Sequence, residues 1–197
     1  MNRQITGTLP AGYEAGRTIN LTKDKQLNMV IQFSFLFITG VLIGFALWTG
    51  SPLSTDLNPF LSFLVTILLV LIYMAFHELT HALFIKIFSG SRPSFRIRFP
   101  FLSVGGEAIF KRRDFIVIAL APVLLWGSLL LILLFIIPER FFLSIFALVI
   151  VNFAGSGGDY VQAYIAFNSP AHTLFQDNGK ETTLFIPAEN EKDPGNN

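Results

Sequence analysis

Long stretches without charged side chains dominate the pattern along this chain. Five stretches contain no Asp, Glu, Lys or Arg: residues 26–55, 57–77, 115–138, 141–158 and 160–176. A helix that crosses a bilayer needs about 20 mostly apolar residues. The pattern therefore predicts four membrane-spanning helices, over residues 28–48, 59–87, 115–137 and 141–167. The second and fourth predicted helices each contain one acidic residue, Glu78 and Asp159 respectively, within an otherwise apolar run.

The loop between the second and third predicted helices, residues 88–113, has a different pattern. Residues 95–99 alternate apolar and basic side chains, which is the period of a half-buried strand. Residues 104–110 can supply a second strand, or a turn followed by a strand. We predict a small β-hairpin here, at the cytoplasmic surface or dipping into the membrane. The basic side chains of the loop also fit a simpler role, in which they only anchor its ends at lipid headgroups.

The predicted fold class is an all-α integral membrane protein, with four transmembrane helices and a small β-hairpin between the second and third. Residues 1–27 are predicted to form a cytoplasmic N-terminal tail. Residues 28–167 form the membrane domain, including the hairpin loop, and residues 168–197 form a cytoplasmic C-terminal tail. The part of that tail from Asp177 to Asn197 is polar and contains two prolines, so we predict that it is flexible.

Composition narrows the class of protein further. Of the 197 residues 52% are hydrophobic and only 14% are charged, whereas soluble domains have about 25% charged residues. The absence of cysteine excludes disulfides, cysteine nucleophiles, Fe–S clusters and cysteine-type zinc sites. A net charge of +1 argues against nucleic acid as a partner.

The distribution of Lys and Arg predicts the orientation in the membrane. These residues are concentrated in the N-terminal tail, the middle loop and the C-terminal tail. By contrast, residues 49–58 contain none, and the turn between the third and fourth helices contains only Arg140. Cytoplasmic segments carry the excess of basic residues. We therefore predict a multi-pass protein of the cell membrane with both termini in the cytoplasm.

The second predicted helix contains an H-E-x-x-H motif, His77-Glu78-Leu79-Thr80-His81. Residues four apart share a helix face, so both imidazoles can reach one zinc ion. Glu78 is rotated by about 100° from His77, where its carboxylate can contact a metal-bound water without ligating the metal. A simpler alternative is a pair of packing histidines beside an unrelated glutamate. Ionisable residues within membrane spans are costly and usually functional, which favours the metal site.

The chain offers two candidates for a third zinc ligand, Asp159 and His172. At 1.5 Å per residue, residues 77–81 lie roughly 10–16 Å from the cytoplasmic end of their helix, and Asp159 lies about 12 Å from the same surface. The two imidazoles and the carboxylate are therefore predicted to be level in the membrane. His172 lies outside that layer unless the chain after Phe167 folds back.

The residues just before Asp159 also suggest a site. Three of the four residues 155–158 are glycines, which permit either an unwound turn or close packing of helices. Asn152 precedes Asp159 by seven residues and would share its helical face. Its amide could bind a substrate backbone or a developing oxyanion. Hydrogen bonding between helices, with no role in catalysis, is the alternative for Asn152.

Taken together, an H-E-x-x-H motif followed two spans later by a glycine-rich Asn…Asp stretch resembles the site-2 protease class of intramembrane zinc metalloproteases. More closely, the chain resembles a small bacterial family of putative zincin peptidases over about residues 60–165. The segments that carry this second resemblance are His77–His81, Phe110–Phe115, Ala119–Pro122 and Asn152–Asp159. The family implies His77 and His81 as zinc ligands, Glu78 as the general base and Asp159 as the third ligand.

The sequence also departs from the site-2 protease pattern. Those enzymes typically carry an Asn-Pro-Asp-Gly type of stretch, whereas here Tyr160 follows Asp159 and no proline lies between Asn152 and Asp159. The chain also has no room for a PDZ domain. The resemblance therefore supports metal ligation more strongly than it supports a mode of substrate binding.

These observations predict an intramembrane zinc metalloprotease with Zn²⁺ as cofactor. It would hydrolyse peptide bonds near the cytoplasmic leaflet, with Glu78 as base to a zinc-activated water. Its expected partners are the lipid bilayer and a membrane protein or peptide substrate. The alternative is a non-catalytic membrane metal-binding protein, such as a pseudoprotease, a sensor or a metal transporter. The presence of Glu78 and the apolar outer halves of the second and fourth spans favour the protease.

Overall fold

The computed structural model describes residues 8–98 and 101–188 of the chain. The α-helices within these residues are α1 Lys25–Trp48, α2 Pro59–Ser89, α3 Arg112–Ile136, α4 Phe142–Gly155 and α5 Gly157–Asn168. The strands within them are β1 Tyr13–Ile19, β2 Ser94–Arg98, β3 Phe101–Gly105, β4 Phe110–Lys111, β5 Leu174–Asp177 and β6 Thr182–Pro187.

Four helical segments are long and apolar enough to cross a membrane, judged by length and composition. They are Lys25–Trp48, Pro59–Ser89, Arg112–Ile136 and Glu139–Asn168. Each overlaps one of the four predicted spans. Large apolar side chains of α1 and α2 face outward, and Trp48 and Phe60 are 82% and 70% exposed. Water-soluble proteins rarely leave wide apolar surfaces uncovered, so this exposure fits a multi-pass membrane protein.

Short polar side chains fix where α1 and α2 begin. Asp24 Oδ1 accepts hydrogen bonds at 3.1 Å from two backbone N–H groups in the first turn of α1. Asn58 Oδ1 does the same at the start of α2. Such caps satisfy N–H groups that have no partner within the helix. From its cap, α2 continues for 31 residues, which places residues 77–81 on a regular helix.

The fourth membrane segment is interrupted at Ser156, between α4 and α5. This break falls within the glycine-rich stretch, where the sequence allowed either an unwound turn or close packing. The structure contains both features. A Cβ on Gly157 would lie only 3.0 Å from Cγ2 of Ile31, so the glycine lets α5 approach α1 closely. The break also starts a new helix just before Asp159.

Helix α3 connects the other helices to a sheet. It contacts α2, α4 and α5, and its buried side chains include Phe115 and Ile118. The ring of Phe115 stacks on Phe175 of β5, with ring centroids 4.9 Å apart. This contact belongs to a buried apolar cluster that fixes the sheet against one end of the helices.

The sheet that packs there has four antiparallel strands in the order β1-β6-β5-β4. Tyr13 pairs with Pro187, and Phe110 pairs with Phe175. The predicted flexibility of the C-terminal tail is therefore wrong for residues 177–187, while residues 189–197 lie outside the described residues. The reason is that apolar side chains in the tail, Phe185 among them, are buried against Ile109 and its neighbours. The fold is mostly helical with small sheets rather than all-α.

A second, two-stranded sheet lies between α2 and α3. In it β2 and β3 pair antiparallel, with Ser94 opposite Gly105 and Phe95 opposite Val104. Residues 99 and 100, between the two strands, lie outside the described residues. The predicted second strand, residues 104–110, does not run on continuously. The chain leaves β3 after Gly105 and then joins the four-stranded sheet at Phe110.

Candidate metal centre

Two helices bring three metal-binding side chains together. His77 and His81 lie one turn apart on the same face of α2, with ring centroids 5.1 Å apart. Asp159 lies in the first turn of α5. Its Oδ2 is 3.2 Å from Nε2 of His77, and its Oδ1 is 3.4 Å from Nε2 of His81. These three residues form a group that could hold a metal ion, and they are the three that the sequence predicted.

Hydrogen bonds to the other ring nitrogens orient both imidazoles. Nδ1 of His81 is 3.0 Å from the carbonyl oxygen of Ile118. Because a carbonyl oxygen only accepts, this nitrogen must carry the proton. Nδ1 of His77 is 3.0 Å from the hydroxyl oxygen of Tyr73, whose proton is donated to Asn152. Nδ1 of His77 therefore also donates, which leaves Nε2 of each ring free to bind a metal.

The geometry of these donors fits zinc. Two ligand atoms of a tetrahedral zinc site, each about 2.0–2.1 Å from the ion, lie roughly 3.3–3.4 Å apart. Nε2 of His77 lies 3.2 Å from Oδ2 of Asp159 and Nε2 of His81 lies 3.4 Å from its Oδ1, so each imidazole is at about this spacing from one of the two carboxylate oxygens. All three donor atoms lie within 4.8 Å of one another. Two imidazoles and one carboxylate are also a ligand set that leaves a fourth position open, as catalytic zinc sites require.

Glu78 lies beside the three donors without joining them. Its carboxylate faces the backbone N–H of Val104 in β3. That contact places the end of the side chain beside the two-stranded sheet. Glu78 also lines the cavities that border the site, so it can meet a water molecule or a peptide group held there.

Two cavities reach the centre from different sides. One, of about 340 Å³, is lined by Glu78, His81 and Asp159 and by residues of both sheets. The other, of about 380 Å³, is lined by His77, Glu78 and Asp159 and by apolar side chains of α1, α2 and α4. Asp177, at the end of β5, lines the first cavity, and burial raises its pKa above the ordinary value.

Asn152 lies behind the metal-binding residues rather than among them. Its side chain is fully buried, and it is absent from the linings of the two cavities described above. Its Nδ2 donates to the carbonyl oxygen of Val123 at 3.2 Å, and its Oδ1 accepts from the Tyr73 hydroxyl at 2.7 Å. The structure therefore shows Asn152 in hydrogen bonds between helices, the second of the two roles considered for it.

Three partners of the site were not found from the sequence. Tyr73 lies four residues before His77, and this spacing on one helix face was a usable signal. The other two partners are backbone groups, the carbonyl of Ile118 and the N–H of Val104. Every residue other than proline has both of these backbone groups whatever its side chain, so the sequence does not indicate which of them will contact the site, and only the fold shows it.

His172, the other candidate ligand, lies on the surface. It lies two residues before β5, and its carbonyl oxygen accepts a hydrogen bond from the Tyr13 hydroxyl at 3.0 Å. Its side chain is exposed, and it is not a member of the metal-binding group found among the described residues. The chain after Phe167 returns to the first cavity at Asp177, but it does not bring His172 to the two imidazoles.

Comparison with known protein families gives one match. Residues 68–174 match the family described as "Putative zincin peptidase". The chain belongs to this zincin peptidase family. The matched region runs from the middle of α2 to the start of β5 and includes His77, Glu78, His81 and Asp159. Comparisons with curated proteins and with solved structures give no match.

Proposed function

We propose that this zincin peptidase is an intramembrane zinc metalloprotease of the site-2 protease type. The observation that carries the proposal is the meeting of His77, His81 and Asp159, with the Glu78 carboxylate lining the same cavity. A metal-storage or transport site would need the three donors, but it would have no use for a carboxylate beside them that does not ligate the metal. Membership of the zincin peptidase family also supports a metallopeptidase, without specifying its type.

Each residue then has a defined task in peptide hydrolysis. His77, His81 and Asp159 hold the ion, and the partners of the two Nδ1 atoms keep Nε2 of both rings pointed at it. When bound, zinc supplies Lewis acidity, which makes water a nucleophile near neutral pH and polarises a carbonyl group. Glu78 takes the proton from the attacking water and delivers it to the leaving amine. The backbone N–H of Val104, which faces the Glu78 carboxylate, would help to orient it for both transfers.

The surroundings of the site suggest membrane or juxtamembrane peptides as substrates. The cavity on the His77 side is bordered by Phe35 of α1 and Met74 of α2, which suit an apolar segment arriving from the bilayer. The cavity on the His81 side is bordered by Val104 of β3. An extended peptide could add to that strand by backbone hydrogen bonds, a common mode of peptide binding.

We also propose that the site lies in the cytoplasmic leaflet of the cell membrane. The basic residues concentrated before α1, between α2 and α3 and after α5 are expected to stay in the cytoplasm. Both sheets then lie at the cytoplasmic surface, and both termini are cytoplasmic. In this orientation, the cleavage product that carries the cytoplasmic part of a substrate is released into the cytoplasm.

The decisive experiment is Glu78→Gln in the full-length protein, with Glu107→Gln as the matched control, because Glu107 is exposed and outside both cavities. Purified variants are assayed for bound zinc and for cleavage of labelled single-span peptides in liposomes. Glu78→Gln should bind one zinc ion per chain and lose at least about 100-fold in cleavage rate, whereas Glu107→Gln should cleave normally.

Two results would overturn the proposal. Cleavage by Glu78→Gln at the normal rate would show that Glu78 is not the base. Stoichiometric zinc in the natural protein without any cleavage of the peptide panel would instead favour a non-catalytic metal-binding protein.

A further inference from the structure

The segment that joins β5 to β6, residues 177–182, is a tight, internally bonded turn, referred to below as the C-terminal turn. Asp177 Oδ1 accepts from the backbone N–H of Gly179 at 2.7 Å, and its Oδ2 accepts from the Thr182 hydroxyl at 3.1 Å. Asn178 Oδ1 accepts from the N–H groups of Lys180 and Glu181. These bonds give the turn a defined shape of its own.

The C-terminal turn is docked on β3. The N–H of Gly106, just after β3, donates to the carbonyl oxygen of Asp177 at 2.7 Å. The hydroxyl of Ser103 donates to the carbonyl oxygen of Gly179 at 2.9 Å. Between these bonds the two backbones almost touch, because a Cβ on Gly105 would lie 2.1 Å from the Gly179 nitrogen. Only glycine at position 105 permits this contact.

The docked turn packs on the face of β3 toward which the Ser103 side chain and a Cβ on Gly105 point, and it also occupies the backbone N–H of Gly106, just after β3. Val104 is opposite Phe95 of β2, and its N–H faces the Glu78 carboxylate rather than β2. Backbone groups two residues apart point to the same side of a strand, so the N–H of Gly106 lies on the same edge as that of Val104. Asp177 therefore accepts from the N–H that a peptide added to β3 would use next after Val104.

The same turn also forms part of the wall of the cavity on the His81 side. Asp177, Gly179 and Lys180 line it together with His81 and Asp159. A peptide chain that pairs with β3 cannot extend along this edge past Val104 while the turn is in place. Opening, however, requires the loss of few contacts with β3: the hydrogen bonds from Gly106 and Ser103 and the close approach at Gly105.

From this placement we propose that the C-terminal turn is an autoinhibitory lid. It packs on one face of β3 and occupies the Gly106 N–H beside the cavity, and it must move before a peptide substrate that pairs with β3 can extend past Val104. The inference rests on the proposed function, because it assigns the regulation of the same site. A substrate of high affinity for β3, or a partner that holds the turn away, would act as an activator.

Gly105→Ala tests the lid in the full-length protein, since the added methyl group forces the turn off β3 without altering a metal ligand. Gly106→Ala is the matched control, because a Cβ there has nothing closer than 3.9 Å. Ser103→Ala is a milder second variant that removes only the hydroxyl bond to Gly179. The measurements are the rate at which EDTA extracts zinc from the loaded protein and the hydrogen exchange of the Gly106 amide.

Ser103→Ala should speed both processes by about two- to tenfold, the change expected when one net hydrogen bond is lost. Gly105→Ala should exceed this, and Gly106→Ala should match the natural protein in zinc extraction. Unchanged exchange and extraction in folded Gly105→Ala would overturn the lid. Where Gly105→Ala fails to fold, unchanged values in Ser103→Ala overturn it instead.

These readouts separate the lid from the proposed protease. Faster extraction and exchange without cleavage by any variant would support the lid and refute the proteolytic activity. Unchanged extraction and exchange alongside cleavage that depends on Glu78 would refute the lid and support the protease.

Discussion

Tyr73→Phe should weaken zinc binding although Tyr73 does not touch the ion. The Tyr73 hydroxyl accepts a hydrogen bond from Nδ1 of His77 at 3.0 Å and donates a hydrogen bond to Oδ1 of Asn152 at 2.7 Å. Phenylalanine keeps the ring, which packs edge-on against Trp126, and removes only the hydroxyl group. His77 is then free to rotate or to change tautomer, so its Nε2 is no longer held toward Asp159.

The magnitude follows from the two hydrogen bonds that are lost. Loss of a partner that orients a metal-bound histidine typically lowers metal affinity about 10- to 100-fold. That factor corresponds to about 1.4–2.8 kcal/mol of binding free energy. In addition, the fully buried Asn152 oxygen loses its donor, and an unpaired buried polar group costs about 1–3 kcal/mol of stability. Both zinc affinity and thermal stability should therefore fall.

The assay is competition for zinc with a chromophoric chelator, with Tyr160→Phe as control. The Tyr160 hydroxyl donates to the carbonyl oxygen of Phe153 at 2.9 Å, and Tyr160 immediately follows Asp159 in α5. Removal of this hydroxyl takes one partly buried hydrogen bond from the same region but leaves both imidazoles anchored. Equal zinc dissociation constants for Tyr73→Phe and Tyr160→Phe would refute the reasoning, whatever their melting temperatures.

Two further predictions concern the ligand set and the topology. Asp159→Ala should lower zinc occupancy about as much as His81→Ala does, while His172→Ala should leave it unchanged; retention in the first with loss in the last would refute the assignment of Asp159. Reporter fusions at residues 1 and 197 should score as cytoplasmic and one near Thr55 as external, and an external C-terminus would contradict both the orientation and the depth argument.

The ligand set could be predicted because depth in a membrane is a one-dimensional coordinate. Once α2 and the fourth span are counted from the same surface, Asp159 and the two histidines are expected at similar depths. The contact distances of 3.2 and 3.4 Å agree with that count. A soluble fold would give no such constraint, and the same three residues would then be only one of many combinations.

The sheets were harder to predict because their pairings are long-range. The four-stranded sheet joins residues 13–19 to residues 182–187, and no local pattern records a partner so distant along the chain. In the sequence, Phe185 stands in a tail of mostly polar residues, so its burial cannot be predicted from the local pattern. It becomes evident only in the fold, where Phe185 packs against Ile109. The helix face on which Asn152 lies could be predicted, but the partners of its amide could not. The amide binds the Tyr73 hydroxyl and the Val123 carbonyl, at the place where the sequence also allowed a substrate group.

The pairing of β1 with β6 imposes an order on biosynthesis. The chain emerges from the ribosome with its N-terminal part first, so β1 has to wait for β6 until all four membrane segments have been made. By then residue 168 has ended α5, and His77, His81 and Asp159 can already meet. The metal-binding residues are thus complete before the strands around the C-terminal turn exist. A newly made chain therefore passes through a stage in which its three metal-binding residues can meet while the strands that border their cavity are not yet paired.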